Sequence, residues 1–388
     1  MDLILSIHIV ALLFSFFVVG TILGAAFSKS IRGEIAALLR LEYLSSLLSL
    51  DKSSHNPILK PGTSPWTAEA VLNPAAIVLD GRTHLVYRAI GMDGVSRLGY
   101  ASSADGIVFD ERLPYPIYAA QNPGGVAEHQ RRYSPVMYPS GGSWGGVEDP
   151  RMVAIDNRVY VTFNMFENWL LRVGVISMSK EDFLNKRFEK WEGPYIISNT
   201  AREKNWMLFP EKIGGRFAVL TGIIDPDDTR VRIEYTDDLK TLSRGTFEAI
   251  DPQKVSDRPI AWHVHVRSAG PPPIKTDKGW LVFYHAQDTR EPSHYKLGAM
   301  LLDLDDPTKI LYRAPMPVLS PSATYENVGK PGVVYACGAV IRDGKIFVYY
   351  GGADKVVCVA TAPIDAFLDA LVAGSEPSLT TILPVQTT

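Results

Sequence analysis

Two adjacent carboxylates, Glu148 and Asp149, stand with Pro150 and Arg151 at the start of a strand–turn–strand stretch, GVEDPRMVAIDNRVYVTF, from Gly146 to Phe163. An unpaired charge at the mouth of a buried sheet is costly, so these residues need partners or a task. A carboxyl group beside a second one resists ionising and keeps its proton to higher pH, which suits a general acid. Successive residues of a strand point to opposite faces, which weakens that coupling. Arg88 or Arg151 would act the other way, lowering the pKa of any carboxylate they pair with. Two further groups carry chemistry-bearing side chains. His263 and His265, two apart on a strand, could share a metal ion, but no third ligand is evident nearby. Asp225, Asp227 and Asp228 in IIDPDDTR lack the glycine and terminal glutamate of an EF-hand loop and read as a solvated turn. No metal site is assigned.

The elements that must position these residues are strands. From about His55 onward, short β runs alternate with Gly, Asp, Asn and Pro, and helical periodicity is scarce. Five units open in the same way, with a proline or small residues, an apolar strand, a polar turn and an aromatic-rich strand. They begin at Asn73, Glu148, Phe209, Pro271 and Ala336, spaced by roughly 60 to 75 residues. Five such units predict an all-β, five-bladed β-propeller. The inner strands of a propeller begin near its axis, so Asn73, Glu148, Asp149, Glu211, Lys212 and Asp354 would converge on one polar funnel.

The 388 residues, 46% hydrophobic and 21% charged, describe a globular chain with an ordinary core. A net charge of −3 and no dense basic cluster argue against a nucleic-acid partner. Cys337 and Cys358 lie in apolar runs, as buried thiols do. The stretch from Leu3 to Phe27 carries no formal charge and is long enough to cross a bilayer. It reads as an uncleaved single-pass anchor, with a signal peptide as the alternative because Gly24 and Ala26 offer a cleavage site. Lys29, Arg32 and Arg40 after it would leave the main domain on the cytoplasmic side. The expected organisation is an anchor or signal segment over 1–28, a helical linker over 29–54 and the propeller over 55–388.

The set NPAAI with YRA, GVEDPR, KNWMLFPEKI, AGPPPI with GWLVFYHA, LGAMLLDLDDP, and CGAV with YYGGAD resembles glycoside hydrolase family 130, the β-mannoside phosphorylases and β-1,2-mannosidases, over roughly residues 55 to 370. The resemblance implies cleavage of β-mannosidic bonds with inversion. It makes Asp149 the general acid, acting through a sugar hydroxyl, and gives the mannosyl unit to Asn73, Arg88 and Asp354, with Glu148 and Arg151 beside them. In the phosphorylases, residues matching Asn205, His285 and Tyr295, with basic neighbours such as Lys204, bind phosphate. No cofactor is implied beyond inorganic phosphate as a co-substrate of a phosphorylase.

The chain departs from the phosphorylase pattern after FPEKI. A His-Arg-Pro element is usual there, and this sequence has Leu220, Thr221, Gly222 and Ile223. Upstream of GPPP a common lysine is replaced by Val266, beside Arg267. Losing a charge-assisted anion clamp weakens phosphate binding, which favours hydrolysis over phosphorolysis, unless Arg267 replaces the clamp. Water would then need a second carboxylate as base, and Glu211 and Glu326 stand in the matching segments. Trp206, Trp262, Trp280 and Tyr284 fit blade packing better than sugar stacking. A non-catalytic carbohydrate-binding propeller at a membrane is the remaining alternative.

Overall fold

The computed structural model describes residues 39 and 43–374, apart from 122, 124–125, 168–169, 199–203, 223–230, 245–261, 263–264 and 289. The apolar segment from Leu3 to Phe27 and most of the helical segment after it lie outside the described residues. Among the described residues no helix is long and apolar enough to cross a membrane. The chain divides into two units, 1–47 and 48–388. In the first, residues from 43 onward are helical.

The second unit is built from antiparallel strands. The first group comprises Ala70–Leu79, Arg82–Ile90 and Val95–Ser103, with Glu111–Arg112 at its edge. The second comprises Gly145–Ile155, Arg158–Glu167, Leu170–Ser179 and Glu192–Ile196. A two-residue parallel bridge, Val95 to Gly145 and Ser96 to Gly146, joins these groups into one sheet. Gly146 is required there, because a Cβ at its φ of 108° would sit 2.2 Å from the Ser96 carbonyl oxygen. The third group is Met207–Leu208, Phe217–Gly222 and Arg232–Thr236. In the fourth, His265–Ala269 and Ile274–Thr276 pair with the two ends of one edge of Gly279–Asp288, whose other edge pairs with Glu291–Leu302, followed by Ile310–Arg313. The fifth is Val334–Arg342, Lys345–Gly352 and Val356–Pro363, completed by the early strand Asp51–Lys52. That strand lies where the sequence predicted a helical linker. Its pairing with Thr361 and Ala360, some 310 residues away, is a long-range contact that local periodicity does not report.

Local chemistry explains the hairpins. Asp80-Gly81 and Asp343-Gly344 both take positive φ, as a two-residue turn matching strand twist requires. All five expected unit openings fall in, or directly after, the first strand of a group. Separate hydrophobic clusters fill the space between neighbouring groups. Val86 and Tyr100 meet Met152 and Phe163 between the first and second, and Val153 and Val175 meet Leu208 and Val219 between the second and third. Phe209 meets Trp280 between the third and fourth, and Tyr87 meets Phe347 and Val359 between the first and fifth. The fourth and fifth touch through a bridge between Tyr295 and Val333. Among the described residues no sheet closes on itself; the groups adjoin in the order five, one, two, three, four.

Candidate active site

Breaks in strand register create the site. Asn73, before Pro74, has φ 48°, and the register slips between Leu72 and Ala75. Asp149, before Pro150, has φ 50°, and the register slips between Glu148 and Arg151. Asn and Asp are the side-chain-bearing residues that best tolerate this left-handed conformation. Asp354 shares it at φ 52°, in the turn after Lys345–Gly352. The bulge overturns the alternation expected for Glu148 and Asp149: both side chains reach the same guanidinium.

That guanidinium is Arg88, 1% exposed. Its Nη2 donates to Glu148 Oε1 at 2.8 Å and its Nη1 to Asp149 Oδ1 at 3.2 Å. Nε donates to Ser96 Oγ at 2.9 Å, and Nη2 also reaches the Ser140 carbonyl and Ser143 Oγ. Glu148 receives two more bonds, from Ser140 Oγ at 2.7 Å and Ser143 Oγ at 2.9 Å. Asn73 Nδ2 donates to the same Asp149 Oδ1 at 2.7 Å. Asp149 Oδ2 makes no hydrogen bond to the described residues, and Asn73 Oδ1 is buried without a partner. A Cβ on Gly351 would lie 2.1 Å from Asn73 Oδ1, so only glycine leaves that oxygen its place.

The electrostatics of the two acids diverge. Burial pushes Asp149 up, but Arg88, the Asn73 bond, Arg151 and Lys204 outweigh it and hold the carboxyl below its usual range. For Glu148 burial prevails over Arg88, and the pKa rises. Asp354 is also raised, by burial, against the pull of Lys330 and Arg88. Lys330 pairs with it at 3.3 Å.

Several expectations change here. Arg151 is not free for substrate: its guanidinium is spent on the main-chain carbonyls of Gly270 at 2.8 Å, Asp149 at 2.9 Å and Ala269 at 3.3 Å, tying the second group of strands to the fourth. His285 is fully buried, its Nε2 accepts from the Ala336 amide at 2.9 Å, and Nδ1 faces Ser268 Oγ at 3.4 Å. Burial and the charge of Arg151 lower its pKa to about 3, so at pH 7 it is a neutral imidazole, with one N–H to donate, stacked on Tyr335 at 3.9 Å. Glu211 is half-exposed in an ion pair with Lys275. Glu326 is fully buried and accepts from the Ser322 and Ala323 amides, Tyr350 Oη and Lys52 Nζ. Neither glutamate bonds to the Arg88 cluster: Glu211 is paired with Lys275, and Glu326 has its oxygens taken by four donors.

The remaining expected residues have defined places. Asn205 is buried and exchanges two bonds with Asn164, at 2.8 and 3.0 Å. Lys204 is exposed, and its charge reaches both Asp149 and His285. Tyr295 packs edge-on against Tyr335. Lys212 is on the periphery, paired with Asp156. The side chains of Arg267 and His265, and all of His263, Asp225, Asp227 and Asp228, lie outside the described residues. Ser140, Ser143, Tyr335 and Lys330 were missed; serines and lysines among glycines and prolines read as ordinary loop.

The family model described as beta-1,4-mannooligosaccharide phosphorylase, that of glycoside hydrolase family 130, matches residues 54–372. A 1,2-beta-oligomannan phosphorylase of Thermoanaerobacter sp. (strain X514) is 36% identical over 324 residues, 81% of this chain and 97% of that protein. A beta-1,2-mannobiose phosphorylase of the same strain is 33% identical over 331 residues, with the same coverage of both chains. The solved beta-1,2-mannobiose phosphorylase from Listeria innocua shares the fold, with a TM-score of 0.62 at 22% identity over 84% of this chain and 99% of that one. The acid, the arginine beneath it and the matching span agree: this chain is an enzyme of glycoside hydrolase family 130.

Proposed function

We propose that the enzyme cleaves β-mannosides by phosphorolysis, with β-1,2-linked oligomannan as its substrate class and inorganic phosphate as its nucleophile. The observation that carries this is the 36% identity to a 1,2-beta-oligomannan phosphorylase over 97% of that protein's length. It reverses the preference for hydrolysis drawn from the missing arginine. The engagement of Glu211 by Lys275 and of Glu326 by four donors favours the same direction, since hydrolysis by inversion needs a carboxylate to activate water.

Asp149 supplies the acid. In the resting site it is held as a carboxylate by Arg88 and Asn73 on Oδ1, which leaves Oδ2 to meet a sugar hydroxyl. A mannosyl ring seated there excludes the remaining water, and desolvation favours the protonated form. A phosphate oxygen then bonds to the anomeric carbon as the glycosidic C–O bond breaks. The Asp149 proton ends, through the hydroxyl, on the departing oxygen. The products are α-mannose 1-phosphate and the shortened sugar. Arg88 and Asp354 hold the ring, and Glu148, itself held by Arg88 and two serines, fixes the guanidinium.

The five antiparallel groups are the blades of a five-bladed propeller in this reading, closed by Asp51–Lys52 pairing with the last blade. The segment over residues 1–28 anchors it to a membrane. Incubation with β-1,2- and β-1,4-mannobiose, with and without phosphate, tests the function. Mannose 1-phosphate should form from the β-1,2 sugar only when phosphate is present; release of free mannose at an equal rate without phosphate would refute it.

A further inference from the structure

The segment that should carry the phosphate-binding arginine begins in apolar core. Leu220 is 1% exposed within the cluster around Phe209 and Trp280, and Thr221 bonds to the Arg232 carbonyl. Among the described residues of that element, Leu220, Thr221 and Gly222 offer no cation, and a phosphorylase must hold a dianion next to two carboxylates. The required charge has to come from elsewhere in the chain.

Lys330 is placed to supply it. It lies in the Gly-Lys-Pro-Gly loop ahead of the fifth strand group. Its Nζ sits 3.3 Å from Asp354 Oδ2, 3.1 Å from the Pro139 carbonyl oxygen and 5.7 Å from the centre of the Tyr295 ring. Asp354 is the carboxylate that holds the sugar, and Tyr295 is the phenol that the family resemblance gives to phosphate. Lys330 therefore stands where the two substrates must meet. Lys204 acts on Asp149 and Lys330 on Asp354, while both acids feel Arg88. Two lysines thus flank the acid cluster from different strand groups.

The present partners of Lys330 do not consume it. Its side chain is 41% exposed, and an ion pair at that exposure is weak enough to be exchanged for a dianion. The Pro139 carbonyl is a neutral acceptor on the segment that also carries Ser140, so the lysine spans the mouth from the fifth group to the loop over Arg88. An ammonium offers three donors and can keep Asp354 while taking a phosphate oxygen.

We propose that Lys330 is the phosphate-binding cation of this enzyme, standing in for the arginine its sequence lacks. This rests on the phosphorylase reading. Initial rates for wild type, K330M and K330R would be measured with phosphate varied at saturating β-1,2-mannobiose, then with the sugar varied at saturating phosphate. K330M should raise the KM for phosphate by about tenfold or more, with the sugar KM changed by no more than about twofold, and K330R should recover most of the loss. In the reverse direction the KM for mannose 1-phosphate should rise with it. An unchanged phosphate KM, or a rise confined to the sugar, overturns the proposal and leaves Lys330 as a positioning residue for Asp354. Calorimetric titration of the resting proteins with inorganic phosphate separates the two readings. If wild type cleaves without phosphate, the phosphorylase reading fails; weaker phosphate binding by K330M than by wild type would still support Lys330 as an anion site, and equal binding would exclude it.

Discussion

Glu326 and Asp149 are both carboxylates taken out of water, yet the donors around them are distributed in opposite ways. Glu326 collects two backbone amides, a tyrosine hydroxyl and a lysine, spread over both its oxygens. Tyr350 bonds to Oε1 and the rest to Oε2, and the residue lies in ordinary backbone. Asp149 takes both of its bonds on Oδ1, sits in a left-handed conformation and faces Asn73, whose own oxygen has no partner. A saturated buried charge holds a structure together, here the early strand Asp51–Lys52 against the last strand group. A buried charge with one oxygen unspent, on backbone that costs energy to hold, is poised for a ligand. The comparison also separates two buried acids, one in a strand bulge and one in a short 3-10 turn: the sequence shows the carboxylates, but only the donor count tells a saturated one from one with an oxygen to spare.

Four experiments would break or sharpen this contrast. Replacing Asp149 by Asn removes the acid while keeping the shape, and kcat on β-1,2-mannobiose should fall by about 10²- to 10⁴-fold with sugar binding retained. A D149N protein that turns over normally would end the assignment, and wild type that binds but never cleaves would favour a carbohydrate-binding module. Replacing Arg88 by Met strands Glu148 and Asp149 without their shared cation, and urea unfolding should show a loss of about 3–5 kcal/mol together with lost activity. On the other side of the comparison, K52M removes one of four donors from Glu326. A smaller destabilisation, about 1–3 kcal/mol, is expected in the same assay, with kcat within about twofold of wild type. A large kcat effect would mean that the clasp is not merely structural.

The change per step is smallest in pH dependence, where it is spread over several pH units. His285 is lowered to about 3 in the fold, whereas an unfolded histidine titrates near 6.5. Between those values the unfolded chain holds the extra proton, so stability falls as pH falls, by up to about 1.4 kcal/mol per pH unit. Glu148 and Asp354, whose pKa values are raised in the fold, act in the opposite sense. Subtracting the profile of H285Q, whose amide oxygen can accept the Ala336 N–H, isolates the histidine; identical profiles would show that it contributes nothing.

Much of this molecule is legible in its residues alone. Turn pairs such as Asp80-Gly81, the apolar alternation around them and the five repeated openings are local signals, and local sterics and burial set the strand groups directly. Asn73, Arg88, Asp149 and Asp354 were singled out for a related reason, since they stand in short segments whose order along the chain is distinctive, and the first three prove to be bonded to one another. The tertiary structure decided what those side chains do. Two bulges turn Glu148 and Asp149 toward one arginine, Arg151 is drawn away to the carbonyls of Ala269 and Gly270, Glu326 is spent on Lys52, and Lys330 arrives beside Asp354. Each of these depends on a slipped register or on partners brought from distant parts of the chain, and neither leaves a period or a spacing in the sequence that hydrophobic patterning can detect.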